Sequence, residues 1–138
     1  MVDGYDKPLP IPTPESRPYW DAARAHRLAL QRCGDCGRHW HPPSTVCPGC
    51  GSREHDWVDS SGKGKVFSFV TYHRLYNKGW KDDLPYVVAV IELEEGARLL
   101  SNVIGIEPDD VACDMAVEVV FDDVTGEVTL PRFRPVGV

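Results

Sequence analysis

Five cysteines stand in this chain: Cys33, Cys36, Cys47, Cys50 and Cys113. Four of them form two Cys-x-x-Cys pairs, Cys33-Gly34-Asp35-Cys36-Gly37 and Cys47-Pro48-Gly49-Cys50-Gly51, separated by ten residues. In a reducing compartment this spacing points to a metal before a disulfide. A tight turn lets two thiolates aim at one ion while backbone N–H groups aim at the sulfurs. Gly37 and Gly51, each just after a second cysteine, suit the left-handed backbone such a turn needs. Four thiolates favour tetrahedral Zn²⁺, with a mononuclear iron site as the alternative. Such a shell is closed to water and substrate, so the metal is expected to be structural. It fastens a ribbon of about 20 residues, too small to bury a core of its own. His39 and His41 lie between the pairs. They are alternative ligands, or they pack beside the ribbon with Trp40.

The remaining reactive side chains are less organised. Cys113 lies among Asp109, Asp110 and Asp114, which disfavour a thiolate. It reads as a small buried or half-buried residue. The five histidines have no Ser or Cys partner placed by sequence, and His73 alone is a candidate for contact with substrate. A second feature is electrostatic. The formal charge is −6 over 138 residues, which disfavours a globally basic nucleic-acid binder. Yet Ser61–Lys81 contains Lys63, Lys65, Arg74, Lys78 and Lys81 and no acid, interleaved with Phe67, Phe69, Tyr72, Tyr76 and Trp80. That stretch suits a compact polyanion better than a long duplex. The alternatives are a solvated strand edge and single-stranded nucleic acid. No apolar run approaches the ~18–20 residues of a membrane span. The start, Met-Val-Asp-Gly-Tyr-Asp, lacks the pattern of a signal peptide. A soluble, cytoplasmic protein is expected.

The elements that must position these groups read as follows. Residues 1–28 form an extended, proline-rich start and a helix over about 16–27, with Ser16 as N-cap and Pro18 in the first turn. Tyr19 and Trp20 on that helix are candidates for docking another protein. Residues 29–56 form the ribbon. Residues 57–138 form a β domain, with strands at Lys65–Tyr76, Pro85–Leu93, Arg98–Ile104, Ala116–Phe121 and Glu127–Phe133. Phe67, Phe69 and Thr71 share one face of the first strand. The apolar second strand reads as covered on both sides. Pro131 and Pro135 mark the last strand as an edge. A helical turn at Pro108–Val111 separates the third and fourth strands. The class is mainly β: an N-terminal helix, a four-cysteine zinc ribbon and a five-stranded OB-fold barrel, with an SH3-like barrel as the alternative.

This order resembles a known family. The signs are an aromatic-bearing helix, the Cys-Pro-x-Cys-Gly ribbon, Ser61-Gly62-Lys63-Gly64-Lys65-Val66 and Pro85–Leu93. A Gly96 hairpin, Met115-Ala116-Val117-Glu118-Val119 and Leu130-Pro131-Arg132-Phe133-Arg134-Pro135 complete them. The chain is similar over residues 16–136 to the OB-fold, acyl-CoA-associated family with a rubredoxin-like zinc ribbon, domain of unknown function thirty-five. It departs at Asp114, where many members carry glycine. The resemblance implies a non-catalytic accessory subunit in a hetero-oligomer with a thiolase-like enzyme. The partner classes are thiolases, hydroxymethylglutaryl-CoA synthases and lipid-transfer-protein-like aldolases of steroid side-chain breakdown. It also implies acyl-CoA at a shared interface. Within that reading Tyr19, Trp20 and Trp40 are the expected interface residues. Lys65, Arg74, Lys78 and Lys81 are the expected CoA contacts.

Overall fold

The structure, a computed structural model, describes residues 7–136; the first six residues of the expected extended start lie outside them. Helix α1 is Arg17–Arg24. The ribbon sheet contains β1 (Ala29–Cys33), β2 (His39–Trp40) and β3 (His55–Asp59), in the order β2-β1-β3. Then come β4 (Lys63–Tyr72), β5 (Tyr86–Leu93), β6 (Arg98–Val103), β7 (Ala116–Asp123) and β8 (Thr129–Pro135). These five close into a barrel of order β4-β5-β6-β8-β7, with β6 and β8 parallel. That is the connectivity of an OB-fold. Short 3₁₀ turns at Lys78–Asp83 and Pro108–Asp110 link β4 to β5 and β6 to β7.

Helix α1 is shorter than expected. Pro18 sits in the first turn, but the Ser16 hydroxyl makes no helix cap. It instead accepts from the Thr13 backbone N–H at 2.8 Å. The helix stops where His26 turns left-handed at φ 60°. The His26 ring then stacks on Phe121, and its Nε2 lies 3.0 Å from both Asp123 oxygens. That contact pins the helix end to the barrel. Asp123 is held below the usual carboxyl range by the Thr129 hydroxyl first and His26 second.

One core runs from helix to barrel. Tyr19, Leu28 and Leu30 pack in one cluster with Val66, Val87, Ile91, Leu99, Val117 and Phe133. Strand β5 shows why it reads as apolar throughout. Val87, Ala89, Ile91 and Leu93 point inward, while Tyr86, Val88, Val90 and Glu92 are only half-buried on the outer face. Its second covering layer is therefore missing. Strand β4 departs from simple alternation. The register against β5 shifts between Val66 and Ser68, making Phe67 the extra residue of a bulge. Phe67 turns outward and is 45% exposed, while Phe69 packs on the core. Phe67 and Phe69 thus do not share a face. The backbone at Gly64 leaves no room for a side chain: a Cβ there would stand 2.4 Å from the Glu92 carbonyl oxygen.

Strand β8 is interior to the closed barrel and is not an edge. It tolerates two prolines because its ladder to β6 is short, with Val103 opposite Phe133. The Pro131 carbonyl instead accepts from the Ser101 hydroxyl at 2.9 Å. Asp114 occupies left-handed backbone at φ 68°. Aspartate tolerates that conformation better than most residues, and glycine better still. The turn around it is tied to β4 by Asp114 N–H to Val66 O at 2.7 Å. Cys113, in the same turn, is exposed. The expectation of a buried thiol there is corrected, because the turn lies outside the barrel wall.

Tyr19 meets His41 with ring centroids 4.9 Å apart. Burial holds the His41 imidazolium down to about 4, against an ordinary value of 6.5. The unfolded chain therefore takes up a proton between these values while the native one does not. The stability this contact contributes is complete above pH 6.5 and is lost as pH falls toward 4. Urea midpoints should accordingly drop between pH 7.5 and pH 5, and His41→Phe should drop less. Equal falls in both proteins would remove His41 as the responsible group.

Candidate functional site

The four ribbon cysteines converge because each pair sits on a turn closed by backbone hydrogen bonds. Gly37 N–H reaches Cys33 O at 3.0 Å, and Gly51 N–H reaches Cys47 O at 2.9 Å. Both glycines are left-handed, at φ 78° and 76°. Backbone N–H groups of Asp35 and Cys36 point at the Cys33 sulfur at 3.4 Å, and that of Gly49 at the Cys47 sulfur at 3.4 Å. All four Sγ atoms lie within 4.8 Å of one another. Cys33 and Cys50 are 3.5 Å apart, and Cys36 and Cys47 3.6 Å. Sulfurs bound tetrahedrally at about 2.3 Å to one ion would stand about 3.8 Å apart. The donor set therefore fits one tetrahedral ion, and neither His39 nor His41 belongs to it.

The thiol electrostatics make the same point. Backbone N–H donation from Cys36 pulls the Cys33 thiol down to about 6. At Cys50 the backbone N–H of Ser52 also pulls down. The adjacent Cys33 sulfur and desolvation outweigh it, pushing that thiol up to about 12. Four thiolates at this spacing cannot coexist without a cation between them. Around them the ribbon has little apolar mass: Cys33, Cys47 and Trp40 form its buried cluster. A buried amide supplies a further staple. Gln31 donates Nε2–H to Ser44 O at 2.7 Å and accepts the Ser44 N–H at 2.9 Å.

The expected interface residues divide. Tyr19 and Trp40 are 6% and 5% exposed. Both pack within this chain, which leaves Trp20 the most accessible of the three. Trp20 is half-buried, edge-on to Tyr19 at 5.0 Å. The expected CoA contacts divide as well. Lys65 lies near the start of β4, 3.7 Å from both Glu92 and Asp114. Arg74 follows the other end of that strand, roughly 20 Å away by strand rise. The four cations therefore do not form one patch. Arg74, Lys78 and Lys81 are exposed beside a chain of rings. Tyr76 meets Tyr72 at 5.8 Å, Tyr72 meets Tyr86 at 5.1 Å, and Tyr86 stacks on Trp80 at 4.3 Å. Arg74 lies over the Tyr76 ring at 5.5 Å and Lys7 over Trp80 at 4.9 Å. His73 lines an open cleft with Tyr72, Arg74 and Tyr76.

Sequence reasoning missed Arg132. It lies on the outer face of β8 yet is 9% exposed. Its Nε donates to Asp122 at 2.8 Å and its Nη1 to Asn102 at 2.6 Å. These groups line a cavity of about 440 Å³ with Trp80 and Tyr86. The alternating Arg132-Phe133-Arg134 gives no sign of that burial. No helix among the described residues is long and apolar enough to cross a membrane.

This fold and site define a class: a metal ribbon carried on an OB barrel. Residues 20–56 match the family described as the ChsH2 rubredoxin-like zinc ribbon domain. Residues 57–122 match the ChsH2 C-terminal OB-fold domain. A DUF35 domain-containing scaffold protein of Methanocaldococcus jannaschii is 38% identical over 76% of this chain and 79% of its own length. The chain belongs to the DUF35 family. A probable enoyl-CoA hydratase alpha subunit of Thermomonospora curvata is 39% identical over 94% of this chain, which spans 40% of that protein. The benzoylsuccinyl-CoA thiolase subunit BbsA of Thauera aromatica is 34% identical, over 69% of this chain and 63% of its own. Among solved structures, a chain of the Ltp2-ChsH2(DUF35) aldolase superposes with a TM-score of 0.83 at 38% identity. That match covers 92% of this chain and 98% of the other.

If the sulfurs hold the ribbon together through an ion, Cys47→Ser should purify without stoichiometric metal and with the amides of β1 and β2 unprotected. Full metal content and unchanged protection in that variant would contradict the assignment.

Proposed function

We propose that this chain is a non-catalytic accessory subunit that binds and stabilises a thiolase-superfamily partner acting on acyl-CoA. The observation that carries the reading is the match, along nearly the whole chain, to the DUF35-bearing chain of an aldolase. The thiolase subunit relative supports it from a second chemistry. Zn²⁺ is the ion that best suits four thiolates in a closed tetrahedral shell. Cys33, Cys36, Cys47 and Cys50 would hold it. When bound it supplies cross-linking and charge neutralisation, with no position left for substrate.

The chain's own residues have two tasks. The ring series Tyr76–Tyr72–Tyr86–Trp80, with Arg74, Lys78 and Lys81 alongside, offers a stacking surface and cations to the nucleotide end of an acyl-CoA. Trp20 and the ribbon around it support the subunit contact. The nucleophile and the acid/base groups belong to the partner in this reading. The cytoplasm is the compartment that keeps five unpaired thiols reduced.

The test is co-expression with Ltp2, followed by size-exclusion chromatography with light scattering and an acyl-CoA cleavage assay. A stoichiometric complex, more active and longer-lived than Ltp2 alone, is expected. A chain that elutes alone and leaves the enzyme unchanged would contradict the proposal.

A further inference from the structure

The buried arginine of β8 has more donors than partners. Arg132 is 9% exposed, and polar atoms so buried ordinarily have hydrogen-bond partners. Its Nε is taken by Asp122 and its Nη1 by Asn102. Asn102 is held in turn, its Nδ2–H reaching the Val87 carbonyl at 2.8 Å. Among the described residues nothing accepts from Arg132 Nη2. The side chain lines the cavity of about 440 Å³, so these unused donors are offered to whatever enters it.

The cavity lies where this fold takes ligands. Two of its walls come from β5 and β6, the second and third strands of the barrel. Its rim includes Trp80 and Asp83 from the connection between β4 and β5, and Val124 from that between β7 and β8. OB-fold barrels bind at this position, and the volume is that of a pocket for one small molecule. The lining selects its class. Two cations face the cavity and each is matched: Arg132 by Asp122 at 2.8 Å and Lys7 by Asp83 at 2.6 Å. A polyanion therefore meets no net positive charge here, and a small anion gains little for the same reason. Val103, Ile104, Ile106, Pro108 and Val124 make much of the remaining wall apolar, which suits a sugar poorly. The complement is an apolar body with one acceptor at the guanidinium corner.

We infer that this cavity is a binding site for an uncharged, largely apolar small molecule bearing a carbonyl oxygen. The oxygen accepts from Arg132 Nη2, and the body lies against Ile104, Ile106 and Val124. Asp122 and Asn102 are positioning residues, which hold the guanidinium so that its free edge faces the ligand. The inference stands whether or not the chain is an accessory subunit.

The probe is Prodan, an uncharged propionyl dimethylaminonaphthalene whose emission reports the polarity around it. The full wild-type chain should bind it at a single site with blue-shifted emission. The same ring system without its propionyl group should compete about tenfold less well, having lost one hydrogen bond to a charged donor. In Arg132→Met the two ligands should bind alike, and Ile106→Trp should fill the cavity and abolish binding. Thermal melts report folding of the variants, and the comparison of the two ligands on the wild-type chain needs no variant. Equal affinity of the two ligands for the wild-type chain would overturn the inference, as would Prodan binding that Ile106→Trp leaves unchanged. The absence of Prodan binding would overturn it too. Tighter binding of anionic anilinonaphthalene sulfonate, lost in Ile106→Trp, would overturn the class of ligand assigned. None of these outcomes bears on association with Ltp2, which co-elution reports separately.

Discussion

Four sulfurs within 4.8 Å of one another are the constraint on which the ribbon depends. Charge repulsion and the cost of burying thiolates oppose that arrangement until a cation relieves both. The ribbon's own buried cluster is Cys33, Cys47 and Trp40, so an ion joining the four sulfurs would take the place of a core. The two left-handed glycines and the Gln31–Ser44 clasp set the loops so that the sulfurs meet.

The ribbon is also fixed to the barrel. Leu28 and Leu30 extend the barrel core into β1, and Tyr19 brings the helix onto the same cluster. The linker is held from the barrel side: Glu95 accepts from the Ser60 hydroxyl at 2.7 Å and from the Ser61 N–H at 2.9 Å. The helix and ribbon turn Tyr19 and Trp40 inward, while Val70 and Leu100 on the outside of β4–β6 stay exposed.

The parts legible in the sequence are those set by short-range spacing. Cys-x-x-Cys turns, left-handed glycines and the run of β5 are local patterns, and the order of five strands with a helical turn after the third defined the barrel. The parts that were not legible depend on long-range register. A bulge at Phe67 reverses which side chains face the core, and nothing in Lys65–Tyr72 marks it. Pro131 reads as an edge signal until the ladder between β6 and β8 is known to be so short that the missing N–H leaves no partner wanting. Lys65 and Arg74 look close along the sequence but stand at opposite ends of an extended strand. Tyr19 and Trp40 are amphipathic, so their type alone does not say whether they bury or dock. Cys113 is small and apolar in type, but the turn that carries it lies outside the wall.

The most direct measurement is hydrogen exchange across residues 29–59, with metal bound and after chelation. The account predicts that the amides of β1, β2 and the two cysteine turns lose protection together when metal is withdrawn, ahead of β5 and β7 in the barrel. Unchanged protection in the ribbon after complete metal removal would contradict the claim that the ion is its core.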